Sequence, residues 1–171
     1  DALLLDGDSC LVADAFNQSL SEMTVEMWVR IDNLSPAFPK VQYSLLENIK
    51  GQNKDWGFDL NVPVAGVNVD FLSWREFTEI SPGSSTATNH HFFVAPTFVE
   101  GVWTHIAIVR TWDGAGVNLC AYVNGLKEEC YSNSDFIEAF PGSEPLAIGC
   151  NNMGGGVFGL EGMIDELRIS S

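Results

Sequence analysis

The sequence predicts an all-β fold, a two-sheet antiparallel β-sandwich or jelly roll. Three observations carry this. Runs of four to nine residues rich in apolar side chains recur along the chain, clusters of Gly, Pro, Asn, Asp and Ser separate them, and no segment repeats its apolar residues at a convincing helical period. With 171 residues the chain is long enough for one domain with a sizeable core and too short for two comfortable ones. No internal repeat or linker divides it, so residues 1–171 read as a single domain.

In chain order, ALLL (2–5) leads into Asp6-Gly7, and CLVADAF (10–16) and MTVEMWVRI (23–31) follow. YSLLENI (43–49), WGFDLNV (56–62) and GVNVDFLSW (66–74) are next, then HHFFVAP (90–96). The segment from about Asn33 to Pro96 holds five of the seven prolines and the polar run SPGSSTATNHH. It reads as the irregular, loop-bearing part, where binding usually resides. WTHIAIVRT (103–111) has a period of two, with Trp103, His105, Ala107 and Val109 on one face and Thr104, Ile106 and Ile108 on the other. Both faces are largely apolar, as in the middle of a layered domain, so His105 is read as a hydrogen-bonded core residue rather than a ligand or a base. Asp113-Gly114 marks a turn into VNLCAYV (117–123), and Asn124-Gly125 a hairpin into LKEEC (126–130). PLAIG (145–149) and GMIDELRI (162–169) complete the set.

Eight Lys and Arg against 23 Asp and Glu give a net charge of −15. That argues against nucleic acid and against an anionic membrane surface, both of which need a basic face. Such acidity serves solubility and supplies hard oxygen ligands for Ca²⁺. No apolar run approaches the roughly 18 residues of a membrane span, so no membrane insertion is expected, and a secreted protein would be represented here by its mature part. Cys10, Cys120, Cys130 and Cys150 lack CxxC spacing, which disfavours a zinc site. They fit two disulfides in an oxidising compartment or buried free thiols. Among the three pairings we prefer Cys120–Cys130 with Cys10–Cys150. A two-residue turn at Asn124-Gly125 sets Cys120 opposite Glu129, so the first bridge requires a β-bulge. Asn17-Gln18-Ser19 and Asn33-Leu34-Ser35 match the N-glycosylation pattern.

ALLLDGDSCLV, MTVEMWVRI, GVWTHIAIVRTWDGAGVNLCAYVNG, LAIG and FGLEGMIDELRIS, in that order, resemble the laminin G-like, pentraxin-related domains of the concanavalin A-like superfamily. The resemblance covers both ends and residues 101–169, leaving 33–100 poorly matched. It implies a single laminin G-like domain with a concanavalin A-like jelly roll whose first and last strands lie side by side, and a Trp-Thr-His core motif that includes His105.

The superfamily contains lectins, adhesion modules and glycoside hydrolases, so function has to be read from sites. The Glu-x-Asp-x-x-Glu strand of its retaining hydrolases is absent: in EGMIDE (161–166) the acids stand at intervals of four and one. Glu26 is a lone strand carboxylate, read as paired in the core. No GxSxG, HExxH or phosphate-binding loop occurs, and the chain is read as no enzyme. The run IGCNNMGGGVF (148–158) resembles the pentraxin calcium loop but has Asn151 and Asn152 where carboxylates belong; these amides are candidate sugar contacts, or merely part of a Gly-rich turn. Trp74, Trp112, His90 and His91 are further candidates for a carbohydrate site, since a sugar stacks its C–H face on an aromatic ring; Trp56 and Trp74 fit the core equally well. The family places the first and last strands together, so Asp6 and Asp165 are expected to share one Ca²⁺, the alternative being that Asp6 only shapes a turn. The expected function is that of a non-catalytic extracellular binding or adhesion module, part of a larger multidomain protein, recognising a glycan or a cell-surface protein and stabilised by calcium. The alternatives are a structural or protein-contact module without a small ligand, or a glycoside hydrolase.

Overall fold

The computed structural model describes residues 2–13, 21–34, 42–48, 56–61, 71–81, 84–93, 98–133, 145–150 and 159–171. The strands are β1 (Leu3–Asp6), β2 (Leu11–Ala13), β3 (Met23–Ile31), β4 (Gln42–Asn48), β5 (Trp56–Asn61), β6 (Phe71–Ser81), β7 (Ser84–Phe93), β8 (Trp103–Trp112), β9 (Val117–Val123), β10 (Leu126–Asn133), β11 (Leu146–Ile148) and β12 (Glu161–Ser170). They form two six-stranded sheets. Sheet A has the order β1-β12-β3-β8-β9-β10 and sheet B the order β2-β11-β4-β5-β6-β7. Every pairing is antiparallel. As the resemblance implied, β1 and β12 are neighbours.

Alternation along each strand builds the core. In β3, Met23, Val25, Met27, Val29 and Ile31 are buried while Thr24, Glu26, Trp28 and Arg30 are not. In β9, Val117, Leu119, Ala121 and Val123 are buried in the same way. Against them sheet B sets Tyr43, Phe58, Leu60, Leu72, Trp74 and Phe92, each 0% exposed. Trp56 stacks on Trp74 with centroids 5.1 Å apart. Both tryptophans therefore belong to the core, the alternative left open by their spacing. The polar run SPGSSTATNHH is no loop throughout: residues 84–91 fall within β7, the edge strand of sheet B. An edge strand has one neighbour and tolerates a polar sequence, so apolar periodicity could not reveal it.

Local chemistry sets the registers. Asn124 and Gly125 have φ of 50° and 78°, the left-handed pair a tight hairpin requires, and the Asn124 side chain accepts the His105 N–H at 3.0 Å. A register shift between Lys127 and Glu129 then sets Cys130 opposite Cys120. That is the bulge the disulfide needs, and both Cys120–Cys130 and Cys10–Cys150 are formed. Gly162 lies where β12 meets β3; a Cβ there would stand 2.0 Å from the Arg30 carbonyl oxygen.

One ion pair crosses the interior. Arg110 on β8 donates through Nε to Glu76 Oε1 on β6 at 2.9 Å, and both side chains are 0% exposed. Trp74 Nε1 donates to the same oxygen at 2.8 Å, and Arg110 Nη1 donates to the Ser21 carbonyl at 2.6 Å. A charge left alone in such a site is costly. Arg110→Met should therefore lower the unfolding free energy by about 3–5 kcal/mol, and adding Glu76→Leu should recover much of that loss. Urea unfolding of the single and double variants checks it.

Candidate functional site

The outer face of sheet A carries the exposed aromatic surface. Trp28 is 38% exposed, and the register sets it between Asp165 on β12 and His105 on β8. The Trp28 and His105 ring centroids are 5.3 Å apart with planes inclined at 60°. Toward one end of the strands, Arg30 lies between Met163 and Trp103. Its guanidinium stands 5.8 Å from the Trp103 ring centroid, held by two 2.8 Å bonds to Asp32. Toward the other end, Glu26 lies between Arg168 and Ala107, with Tyr122 beyond. The Glu26 carboxylate is 3.5 Å from His105 Nε2 and 3.9 Å from Arg168 Nη1. The result is an open aromatic ring flanked by fixed charged and hydrogen-bonding groups, which can stack an apolar face and orient its polar substituents.

Sequence reasoning missed Trp28, although a signal was present. In MTVEMWVRI it falls on the polar phase, with Thr24, Glu26 and Arg30, where an aromatic residue is exposed. His105 and Glu26 were expected in the core; both lie on this outer face, because β8 and β3 turn their other phase inward. Glu26 is paired as expected, but at the surface.

The outer face of sheet B carries a second polar cluster, closed on itself. Arg75 on β6 bonds to Glu47 on β4, and donates through Nη2 to Asp59 Oδ1 on β5 at 3.1 Å. Its Nε stands 2.7 Å from Asp59 Oδ2, an ion pair without hydrogen-bond alignment. Ser44 Oγ donates to Asp59 Oδ1 at 2.9 Å. Both carboxylates are 0% exposed and share one guanidinium. A glycosidase pair must instead face an open cleft with room for the sugar.

The expected sugar contacts are dispersed. Trp74 is 0% exposed and faces the core, so neither side of its ring is open to a ligand. Trp112 is half-buried and packs against the core at the end of β8. His90 and His91 are adjacent in β7 and point to opposite faces, so they cannot join one site. His90 stacks on Tyr131 at 3.7 Å and meets Phe92 edge-on, while His91 is exposed. Asn151 and Asn152, like Asn17, lie outside the described residues. Asn33 donates its side-chain amide to Glu161 at 2.8 Å.

The residues proposed for calcium do not fit a shared ion. Asp6 pairs with Glu161, four positions from Asp165, which puts the two carboxylates about 13 Å apart along the strands. Asp6 Oδ1 accepts the Asp8 and Ser9 N–H groups at 3.1 and 2.8 Å. Hydrogen bonds from Ser9 and Asp8 hold its carboxyl below the usual range, as for a turn-shaping aspartate. Asp165 Oδ1 accepts the Glu166 N–H at 2.9 Å. Among the described residues, no group of three or more His, Cys, Asp and Glu could hold a metal.

Two six-stranded antiparallel sheets with the first and last strands side by side define a concanavalin A-like jelly roll. Residues 5–171 match a laminin G family model of the concanavalin A-like lectin/glucanases superfamily, and the chain belongs to that family. No curated protein sequence matches it. Among solved structures it is similar to the heptameric SAP-like pentraxin of Limulus polyphemus, with 15% identity, 96% of this chain and 76% of that chain covered, and a TM-score of 0.56. It is also similar to domains LG4-5 of the mouse laminin α1 chain, at 12% identity, coverage of 96% and 40%, and a TM-score of 0.61. For the Ruminococcus gnavus IT-sialidase CBM40 bound to α2,3 sialyllactose the values are 12%, 93% and 90%, and 0.58. At these identities the likeness is one of fold. The chain spans well under half of the laminin fragment. Among the described residues no helix is long and apolar enough to cross a membrane.

Two outcomes follow from these placements. Burial lowers the pKa of His90 from its usual 6.5, with Glu129 partly opposing and His91 adding to the fall. The unfolded chain therefore takes up this proton first as pH drops, so stability should decline from about pH 6.5 downward. Melting temperatures from pH 7.5 to 5 should show a decline that is smaller in His90→Phe. In millimolar Ca²⁺ and again in EGTA, Asp165→Asn should show the same calcium response as the wild type; a response lost only in the variant would restore Asp165 as a ligand.

Proposed function

We propose that this chain is a non-catalytic, extracellular binding module that takes a glycan on the outer face of sheet A, centred on Trp28. The supporting observation is the exposure of that ring between Asp165 and His105. A large aromatic side chain left open on a sheet face, among charged groups, costs contact with water and is the arrangement sugars stack upon. The CBM40 of similar fold, with its bound sialyllactose, supports the sugar class. The two disulfides support an oxidising, extracellular setting. The closed Glu47–Arg75–Asp59 cluster supports binding without catalysis.

A glycan array in buffer with and without Ca²⁺ identifies a ligand. Calorimetry with that ligand should give a dissociation constant about tenfold weaker for Trp28→Ala, as for a central aromatic anchor. Circular dichroism should show both proteins folded. A blank array, or a Trp28→Ala protein that binds as the wild type does, would overturn the reading.

A further inference from the structure

Resting on the glycan reading of this face, we propose that sheet A takes a linear glycan of at least three sugar rings, stacked on Trp28 at one end and on Tyr122 at the other. The register puts both aromatic rings on one face. Trp28 of β3 stands opposite His105 of β8, and two residues along β8 Ala107 stands opposite Tyr122 of β9. Tyr122 alternates with the buried Ala121 and Val123, so it points outward as Trp28 does, and it is half-buried. Two strand spacings across and two residues along separate the two Cα positions by about 12 Å. Successive rings of an extended, cellulose-like glycan advance by roughly 5 Å, close to one strand spacing. A first ring on Trp28 therefore brings the third to Tyr122, and in such a chain alternate rings present the same side.

The floor between the two aromatic rings suits a chain lying across it. Ala107 faces outward with only a methyl group and is 6% exposed, because the taller Glu26, His105 and Tyr122 stand around it as the walls of a shallow trough. Beside the trough, the Glu26 carboxylate and His105 Nε2 are 3.5 Å apart, an acceptor and an imidazole for hydroxyls of the middle ring. Trp103 does not offer the same step in the other direction. It lies on the strand next to Trp28, and the Arg30 guanidinium stands over its ring at 5.8 Å.

The strand that carries Tyr122 is held on both sides of it. Cys120, the preceding outward residue of β9, is bridged to Cys130 of β10. Beyond Tyr122, Asn124 accepts the His105 N–H at 3.0 Å through its side chain and donates its own N–H to the His105 carbonyl at 2.8 Å. Tyr122 is thereby fixed relative to His105 and, through the β3 register, to Trp28. A platform ordered in advance loses little freedom when a ligand binds.

The test is an NMR titration of the ¹⁵N-labelled chain with cello-, xylo- and manno-oligosaccharides of increasing length, from the monosaccharide upward. In the series that binds, affinity should rise about tenfold from disaccharide to trisaccharide and little beyond. Tyr122→Ala should weaken the trisaccharide about tenfold and leave the disaccharide unchanged, whereas Trp28→Ala should weaken both. Tyr122→Phe, which keeps the ring, should bind as the wild type does. Shifts of the Trp28 indole and of the Ala107 and Tyr122 amides should mark the path of the chain. Affinity already complete at the disaccharide would overturn the proposal, as would a folded Tyr122→Ala protein that binds the trisaccharide normally. If Trp28→Ala still weakens binding in either case, the glycan site on Trp28 stands without its extension. Failure of every series to bind overturns the proposal, and the glycan array then decides the broader reading. The length dependence of the wild type remains a test by itself should Tyr122→Ala not fold.

Discussion

A guanidinium and a carboxylate, both wholly removed from water, tie one sheet to the other. Arg110 belongs to sheet A and Glu76 to sheet B, and the rest of the interior is arranged so that this pair is tolerable. Desolvating two charges is repaid only where further hydrogen bonds complete their shells; here Trp74 and the Ser21 carbonyl do so. Trp74 is in turn held by stacking on Trp56. Apolar layers alone could slide to neighbouring registers at little cost, whereas a buried ion pair is satisfied at one. The pair thus holds Glu76 of β6 against Arg110 of β8.

What points outward differs between the sheets. On sheet B, Arg75 spans β4, β5 and β6 by holding Glu47 and Asp59, so its polar face is occupied by contacts within the protein. On sheet A, the outward phases of β3 and β8 meet in Trp28, His105, Trp103 and Glu26, with the Trp28 ring 38% exposed. The exposed Trp28 ring therefore lies on the sheet that contains the first and last strands.

The architecture was legible in the residues because alternation and turn chemistry are local. The strand phases of β3 and β9 and the Asn124-Gly125 hairpin follow from patterns within short segments, while the adjacency of the two ends was implied by the family resemblance. The need for a bulge beside Cys130 also followed from counting residues from the turn. The site was much less legible. His105 and Val109 share a phase with Trp103, and nothing in WTHIAIV says which phase the other sheet covers. Trp74 and Trp28 are both tryptophans in strands beside carboxylates; one is sealed and the other open because opposite faces of their strands meet the partner sheet. Asp6 and Asp165 do belong to paired strands, but their separation depends on a register that pairs Asp6 with Glu161.

The sequence by itself determined the class of fold and most strand positions, since both depend on period and turn residues, whereas it favoured one disulfide pairing that the structure then established. Only the tertiary structure decided which aromatic rings reach solvent and which carboxylates are already paired. Those are outcomes of how two sheets are laid against each other, and they depend on contacts between residues far apart in the chain, such as Glu76 with Arg110.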